Sequence, residues 1–178
     1  MHVLFVCTGN ICRSPIAERL AMEYAIRTEV PDFVASSAGT RAVINGAIHH
    51  EAAAVLERLG GRASSFAARQ FSPRIAKDAD LILTMTREHR DRVLELAPGK
   101  LSRTFTLAES SALVTELDAR SVIDLAGLRP HLSSWGGRLD IRDPIGQDAD
   151  VFADVGARIA ELLPPVMELC RRSASDGL

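Results

Sequence analysis

The residues most suited to chemistry lie in one short stretch near the start of the sequence, where Cys7 is followed six residues later by Arg13 and then by Ser14. An ionised cysteine is a strong nucleophile. Arginine always carries its charge, and its planar guanidinium group can hold two oxygens of a phosphate. Gly9 and Asn10 tolerate the positive φ angles that a loop wrapped around an oxyanion requires. The spacing therefore predicts that Cys7 attacks phosphorus while Arg13 holds the phosphoryl oxygens.

Two elements are needed to present this loop. The apolar run at residues 3–6 predicts a buried parallel strand. Ser14 is predicted to cap a helix that starts at Pro15, and apolar residues continue at helical spacing to Tyr24. A strand, a tight loop and a helix N-terminus together direct backbone N–H groups and the positive end of the helix dipole toward an anion. Such a field favours the thiolate form of Cys7 over the thiol.

Residues 6–15 read VCTGNICRSP and resemble the signature loop of the low-molecular-weight protein tyrosine phosphatases. The resemblance implies that Cys7 is the nucleophile and forms a phosphocysteine intermediate, and that Arg13 binds the phosphoryl group and its transition state. It also implies that Ser14 hydrogen-bonds the Cys7 thiolate and that Asn10 holds the shape of the loop. The phosphate-binding residues implied in this way are Thr8, Gly9, Asn10, Ile11, Cys12, Arg13 and Ser14.

The rest of the chain alternates predicted strands and helices, as in a doubly wound α/β protein. The further strands are predicted at residues 32–37, 80–85 and 104–107. The further helices are predicted from about residue 49, from residue 72, over 86–97, and from residue 148, the last being kinked or broken at Pro164-Pro165. Segments 37–40, 68–70 and 80–86 also resemble the family. The resemblance implies its fold, a doubly wound four-stranded parallel sheet flanked by helices.

Length and composition set broad limits. The 178 residues suit a single domain, 1–178, in which residues 109–142 form a longer segment than is usual for the family. Within it, residues 118–128 are predicted as a helix and 131–137 as a loop. A net charge of −2 argues against nucleic acid or an acidic membrane as partner. With three cysteines, no charged-then-apolar leader and no apolar run of ~20 residues, we expect a cytoplasmic protein and no membrane span.

Attack on phosphorus expels an alkoxide or phenolate, which needs a proton as it leaves. Asp143 is the best candidate for this acid, because Pro144 biases its backbone away from the helical region and so places it on a loop. The family carries its general acid in such an Asp-Pro pair late in the chain. The resemblance thus implies that Asp143 protonates the leaving group and then activates the hydrolytic water. Asp140, which no proline follows, is the alternative.

The segments that line the substrate slot in many family members differ here. Ile145 stands where an aromatic residue often follows the Asp-Pro pair, residues 41–44 replace a second aromatic wall, and Phe66 replaces a histidine that supports the loop. We hypothesise that Trp135, in the longer segment, fills the slot. Ile11 favours phosphotyrosine, because related phosphatases that act on phosphoarginine carry threonine at this position. A protein-arginine phosphatase is the alternative.

Several other reactive side chains have structural interpretations. Cys12 is either a buried thiol beneath the loop or a redox partner that forms a reversible disulfide with Cys7 and shields it from over-oxidation. Cys170 is expected to be packed on the terminal helix. The adjacent His49 and His50 cannot both face one metal ion from a helix or strand, so we predict no metal site and no cofactor.

The helix predicted over residues 86–97 carries a run of charged side chains. Arg87, His89, Arg90 and Arg92 are predicted to form a solvated helix face, with partner docking as a minor alternative.

Taken together, these residues predict a cysteine-dependent phosphatase of tyrosine-phosphorylated proteins that uses Cys7, Arg13 and Asp143. A thiol-dependent arsenate reductase is a weaker alternative, because it needs further cysteines and only Cys170 lies beyond the loop. A non-catalytic phosphate-binding module is disfavoured, because binding alone would need neither a thiolate at Cys7 nor an acid at Asp143. A redox switch at Cys7 and Cys12 would exchange thiols without releasing phosphate.

Overall fold

The computed structural model describes residues 1–132 and 139–175, and a parallel sheet runs through its centre. The strands are β1 (His2–Cys7), β2 (Val34–Gly39), β3 (Leu81–Thr84) and β4 (Thr104–Thr106). β1 pairs in parallel with β2 and β3, and β3 pairs in parallel with β4, which gives the order β2-β1-β3-β4. The predicted four-stranded parallel sheet is confirmed, although β2 begins and ends two residues later than the predicted strand.

Helices cover both faces of this sheet. They are α1 (Arg13–Arg27), α2 (His50–Arg58), α3 (Pro73–Lys77), α4 (Arg87–Leu96), α5 (Leu107–Leu117), α6 (Val122–Leu128) and α7 (Ala149–Ser175), with short 3-10 helices at Pro98–Arg103 and Arg129–Leu132. In the described ranges, no helix combines the length and the apolar character needed to cross a bilayer.

The side chains of β1 alternate between two apolar cores. Val3 and Phe5 belong to the larger core, which α1, α2, α5 and α7 complete. Leu4 and Val6 point to the opposite face and pack with residues of α3 and α4. Full burial of a side chain of this size contributes ~1.5–3 kcal/mol. A strand buried on both faces therefore reads as a continuous apolar run, which is why the sequence pattern located β1 well.

The order of the strands determines where a ligand can bind. β1 leads through α1 to β2 on one side, while β3 lies on the other side of β1. In open α/β sheets, ligands bind beyond the carboxyl ends of the strands, at the point where the strand order reverses. Here that point lies between the ends of β1 at Cys7 and of β3 at Thr84. The loop after β1 and the first turn of α4 meet there.

Two helix predictions are wrong. α1 begins at Arg13, so Ser14 lies inside its first turn and does not cap it; the N-cap position is Cys12, which makes no side-chain capping bond. The break predicted at Pro164-Pro165 is also wrong, because α7 continues through both prolines; the alternative of a kink stays a prediction. Each proline removes one N–H donor from the helix, but buried apolar side chains on both sides of the prolines hold α7 against α1, α2 and α5.

The longer segment at residues 109–142 is partly helical. α5 extends to Leu117 and ends where Asp118 adopts a left-handed backbone conformation with φ 53°. The helix predicted over 118–128 is shorter, because a capping box at Ser121 starts α6 at Val122. Trp135 and most of the predicted loop at 131–137 lie outside the described residues, so the role suggested for Trp135 stays a prediction.

Candidate active site

The loop after β1, residues 8–12, turns its carbonyl groups outward. A neighbouring backbone segment, residues 40–49, satisfies them: the carbonyl oxygens of Cys7, Thr8, Gly9 and Ile11 accept hydrogen bonds of 2.8–3.0 Å from the N–H groups of Thr40, Arg41, Val43 and His49. A trans peptide unit points its N–H opposite to its C=O. The N–H groups that follow these carbonyls therefore point into the loop, where Asn10 has a positive φ of 56°. The loop is thus a ring of donors preorganised for an anion.

A chain of hydrogen bonds connects the Cys7 thiol to the loop. Cys7 Sγ lies 3.0 Å from Ser14 Oγ. The Asn10 side-chain amide donates to Ser14 Oγ at 3.0 Å and to Ser37 Oγ at 2.8 Å. Because Ser14 Oγ already accepts from Asn10, its own proton is available to the Cys7 sulfur. Ser37 in turn donates to the Glu18 carboxylate at 2.5 Å. This arrangement directs a hydroxyl group at the Cys7 sulfur and holds the side chains around it in place.

Phe66 lies beside the outer end of this chain of hydrogen bonds. The Arg19 guanidinium carbon lies 5.6 Å from the centroid of the Phe66 ring. Burial raises the pKa of Glu18, and the hydrogen bond from Ser37 partly offsets that rise. Phe66, which stands in place of the family's histidine, therefore packs against Arg19, and the chain of hydrogen bonds ends at Ser37 and Glu18.

Arg13 joins the loop to a second loop late in the chain. Its side chain is only 3% exposed. Its NH1 donates to the Ile141 carbonyl at 3.1 Å, and its NH2 donates to Asp143 Oδ2 at 2.6 Å. Among the described residues, Arg13 Nε has no hydrogen-bond partner although it is buried. Arg13 therefore keeps one buried donor for an oxygen of a bound phosphoryl group.

The two acidic candidates have different surroundings in this second loop, residues 139–146, which we call the acid loop. The Asp143 side chain is 46% exposed and, among the described residues, hydrogen-bonds Arg13 and the N–H of Ile145. Asp140 accepts hydrogen bonds from the Arg87 backbone and guanidinium group at 2.7, 3.0 and 2.8 Å. Burial opposes ionisation of Asp140, but the hydrogen bonds from Arg87 outweigh it and lower its pKa. Asp140 is thus an anchoring carboxylate, and Asp143 is the acid candidate.

The solvated face predicted for Arg87, His89, Arg90 and Arg92 is only partly correct. Arg92 is exposed and Arg87 and Arg90 are partly exposed, but His89 is not solvated. His89 is buried, and its Nε2 lies 2.8 Å from Thr8 Oγ1. Burial, together with the charge of Arg13, lowers the pKa of His89 to about 4, so its ring is neutral at physiological pH. Arg87 holds Asp140, as described above. The run of charged side chains in the sequence gave no signal for these contacts, because their partners lie 81 and 53 residues away in the sequence.

Apolar side chains and a charged groove surround the mouth of the loop. Val43, Ile44 and Ile145 are 52%, 63% and 46% exposed. Ile11 and Val43 flank Gly9, where an added Cβ would contact the side chains of both. A groove of about 840 Å³ leads from Thr8 along α4 and is lined mainly by charged residues. Ile11 and Val43 therefore form an aliphatic rim beside Gly9, next to the charged groove.

The other two cysteines are buried, free thiols. Burial, followed by the nearby charges of Cys7 and Asp143, raises the pKa of Cys12 to about 12. Burial likewise raises the pKa of Cys170, in α7, to about 12. Both thiols are therefore protonated at neutral pH, and a protonated thiol is a poor nucleophile. Within the described residues, no cluster of three or more histidine, cysteine or acidic side chains could hold a metal ion.

Comparison with known proteins identifies the family. The family model described as low molecular weight phosphotyrosine protein phosphatase matches residues 2–119. The protein-tyrosine-phosphatase Wzb of Escherichia coli is 31% identical over 154 residues, covering 86% of this chain and 84% of Wzb. The chain belongs to the low-molecular-weight phosphotyrosine protein phosphatase family, whose members are enzymes.

Two solved structures have the same fold. The low-molecular-weight protein tyrosine phosphatase from T. tengcongensis superposes with a TM-score of 0.75 at 28% identity, covering 94% of this chain and 98% of that one. A YwlE arginine phosphatase with a cysteine-to-serine substitution and a phosphorylated active-site serine superposes with a TM-score of 0.75 at 26% identity, covering 94% of both chains. Asp143 lies beyond the residues that the family model matches, so its assignment depends on its contact with Arg13.

Proposed function

We propose that this protein hydrolyses phosphotyrosine in proteins, with Cys7 as nucleophile, Arg13 as phosphoryl-binding residue and Asp143 as general acid and base. The observation that supports this most is the convergence on one loop of a thiol with a hydroxyl donor at 3.0 Å, inward N–H groups, and a guanidinium group that also contacts a carboxylate at 2.6 Å. The remaining proposed phosphate-binding residues are Thr8, Gly9, Asn10, Ile11, Cys12 and Ser14.

The proposed reaction has two steps. In the first, the Cys7 thiolate attacks phosphorus, an S–P bond forms and the P–O bond to tyrosine breaks. The inward N–H groups and Arg13 stabilise the charge on the phosphoryl oxygens, and Asp143 gives a proton to the leaving oxygen. In the second step, Asp143 takes a proton from water as the water attacks phosphorus, and the S–P bond breaks. A phosphoryl group on Arg13 competes with the Asp143 carboxylate for NH2, which frees Asp143 for proton transfer.

The aliphatic rim supports phosphotyrosine as the substrate. Ile11 and Val43 beside Gly9, with Ile145 two residues after Asp143, offer apolar contact to an aromatic ring. The structural likeness to a YwlE arginine phosphatase makes phosphoarginine the second candidate. Thiol-dependent arsenate reduction is less favoured, because Cys170 is the one cysteine beyond the loop and is completely buried in α7.

The proposed setting is the cytoplasm, with a tyrosine-phosphorylated protein as partner and with no role for nucleic acid, membrane, metal or cofactor. The free thiols at Cys7, Cys12 and Cys170 support a reducing compartment. The net charge of −2 is slightly negative, which does not favour binding to an anionic surface such as nucleic acid or an acidic membrane.

The test measures phosphate release from a phosphotyrosine peptide and a phosphoarginine peptide side by side, with EDTA present. The variants are Cys7→Ala and, as a matched control in the same loop, Cys12→Ser. Phosphotyrosine turnover that persists in EDTA, survives Cys12→Ser and disappears in Cys7→Ala is the expected result. Preference for phosphoarginine would keep the mechanism and replace the substrate. Failure to release phosphate from either peptide would contradict the proposal.

A further inference from the structure

Two side chains in the first turn of α4 contact the two halves of the proposed active site separately. His89 contacts Thr8, which directly follows Cys7 in the loop after β1. Arg87 contacts Asp140, which lies three residues before Asp143 in the acid loop. Both side chains come from a helix that carries none of the proposed catalytic groups.

The contact from His89 reaches Arg13 through one hydroxyl group. His89 Nδ1 lies 2.9 Å from Thr86 Oγ1, and His89 Nε2 lies 2.8 Å from Thr8 Oγ1. A neutral imidazole has one donor and one acceptor nitrogen, so either tautomer can use both contacts. Thr8 Oγ1 also lies 3.5 Å from Arg13 NH2. A buried ring whose two nitrogens are both bonded fixes the Thr8 side chain, and through it the position of the guanidinium group.

The contact from Arg87 fixes the other half. Its guanidinium group donates twice to Asp140 Oδ2, at 3.0 and 2.8 Å, and its backbone N–H donates to Oδ1 at 2.7 Å. The next residue, Ile141, donates its N–H to the Met85 carbonyl at 2.8 Å and accepts from Arg13 NH1. The start of the acid loop is therefore held to the end of β3 and to Arg13, while Asp143 itself is nearly half exposed.

We propose that Arg87 and His89 are positioning residues that align the nucleophile loop with the acid loop. His89 acts through Thr8 on the phosphoryl-binding group Arg13, and Arg87 acts through Asp140 on the general acid. This inference rests on the proposed function. It separates two effects: loss of Arg87 impairs protonation of the leaving group, whereas loss of His89 impairs binding of the phosphoryl group whatever the leaving group is.

The experiment measures kcat/KM for a series of aryl phosphates whose leaving phenols range from strongly to weakly acidic. Dinitrophenolate leaves without protonation, and phenolate needs a proton from the general acid. The loss variants are Arg87→Gln and His89→Ala, and Asp143→Asn is the reference for a missing acid. Arg92→Gln is the control on the same helix, because Arg92 is exposed and pairs only with Glu95 among the described residues. Circular dichroism melts establish that each variant is folded.

For Arg87→Gln, we expect the dependence of kcat/KM on the leaving group to steepen in the direction of Asp143→Asn. The loss should be about 10- to 100-fold with phenyl phosphate, because a misplacement of ~1 Å can cost ~100-fold, and it should nearly vanish with dinitrophenyl phosphate. Arg87→Lys keeps the charge without the two-pronged geometry and should fall between wild type and Arg87→Gln. Should Arg87→Gln not fold, this milder variant carries the same test.

For His89→Ala, we expect a similar loss with every leaving group and weaker competitive inhibition by inorganic phosphate. His89→Gln, whose amide supplies one donor and one acceptor, should restore part of both.

An equal loss across the series for Arg87→Gln, or no weakening of phosphate inhibition for His89→Ala, would overturn the inference while leaving the proposed function intact. If kcat/KM depends equally on the acidity of the leaving phenol in Asp143→Asn and in wild type, the assignment of Asp143 as the acid in the proposed function is overturned. The role of Arg87 is then overturned with it.

Discussion

The two halves of the proposed active site, one with the nucleophile and one with the acid, differ in how the chain encodes them. The nucleophile half lies within eight consecutive residues, Cys7 to Ser14, is largely buried, and has its carbonyl groups satisfied by residues 40–49. The acid half depends on contacts across the sequence: Asp143 with Arg13 over 130 residues and Asp140 with Arg87 over 53. The nucleophile loop is therefore preorganised mainly by backbone hydrogen bonds to residues 40–49, whereas the acid loop depends more on side chains that single substitutions can remove.

Replacing Arg13 should have the largest effect, because Arg13 belongs to both halves. Arg13→Lys keeps a charge but loses the planar fork that reaches Ile141 and Asp143. We expect kcat/KM for a phosphotyrosine peptide to fall by ~1,000-fold or more, since loss of one preorganised donor already costs ~100- to 1,000-fold. Arg27→Lys, at the exposed end of α1, is the control. A loss under tenfold for Arg13→Lys would show that Arg13 does not hold the transition state.

Gly39→Ala should damage the nucleophile half alone. A Cβ at position 39 would lie 2.4 Å from the carbonyl oxygen of Thr8, so the loop after β1 would have to move. We expect a loss of ~100-fold in kcat/KM, comparable to a displacement of ~1 Å, with no change in the dependence on the leaving group. Gly99→Ala, where an added Cβ meets nothing within 4 Å, is the matched control. Full activity of Gly39→Ala would mean that the loop tolerates displacement.

The ring of His89 should make stability depend on pH. Its pKa is about 4 in the folded protein and about 6.5 in an unfolded chain. The unfolded state therefore binds more protons in this window, and the stability present above about pH 6.5 is lost as pH falls toward 4, by at most ~3 kcal/mol. Urea unfolding from about pH 7 to about pH 5 should show this loss in wild type and less of it in His89→Gln. If the free energy of unfolding depends equally on pH in the two proteins, a buried neutral ring at His89 is contradicted. The control is His131→Gln, because His131 is exposed.

Features encoded by neighbouring residues could be predicted from the sequence, whereas features that depend on distant contacts could not. The fold and the nucleophile loop were predictable, because a strand buried on both faces and ten contiguous residues carry their own signals. Arg87 and His89 were not, because a polar helical stretch looks solvated until its distant partners Asp140 and Thr8 are placed beside it. The break predicted at the two prolines of α7 was wrong for a related reason, since packing against neighbouring helices outweighed the local loss of donors.

Ile11→Thr should change selectivity more than rate. Ile11 forms part of the aliphatic rim, and a hydroxyl group there favours a polar substrate over an aromatic ring. We expect the ratio of phosphotyrosine to phosphoarginine turnover to fall by ~10-fold, the scale of a change of one or two groups in an apolar pocket. Ile44→Thr on the exposed rim is the comparison. An unchanged ratio in Ile11→Thr would remove this residue from substrate selection.

Cys12→Ser should have the smallest effect on turnover, because a thiol with a pKa of about 12 is neutral and serine matches its size closely. If Cys12 is the redox partner of Cys7, the variant should lose the recovery of activity that a reductant gives after peroxide treatment. Equal recovery in the variant and wild type would leave Cys12 as a packed thiol.

The most direct test of the central claim is to locate the phosphoryl group in a rapidly quenched reaction. Asp143→Asn, which under the proposed mechanism should slow hydrolysis of the intermediate, is mixed with a phosphotyrosine peptide, quenched and fragmented for mass spectrometry. The account predicts one phosphoryl group on Cys7, also found when Cys12 is replaced by serine and absent when Cys7 is replaced by alanine. A phosphoryl group on another residue, or phosphate release that continues in Cys7→Ala, would contradict it.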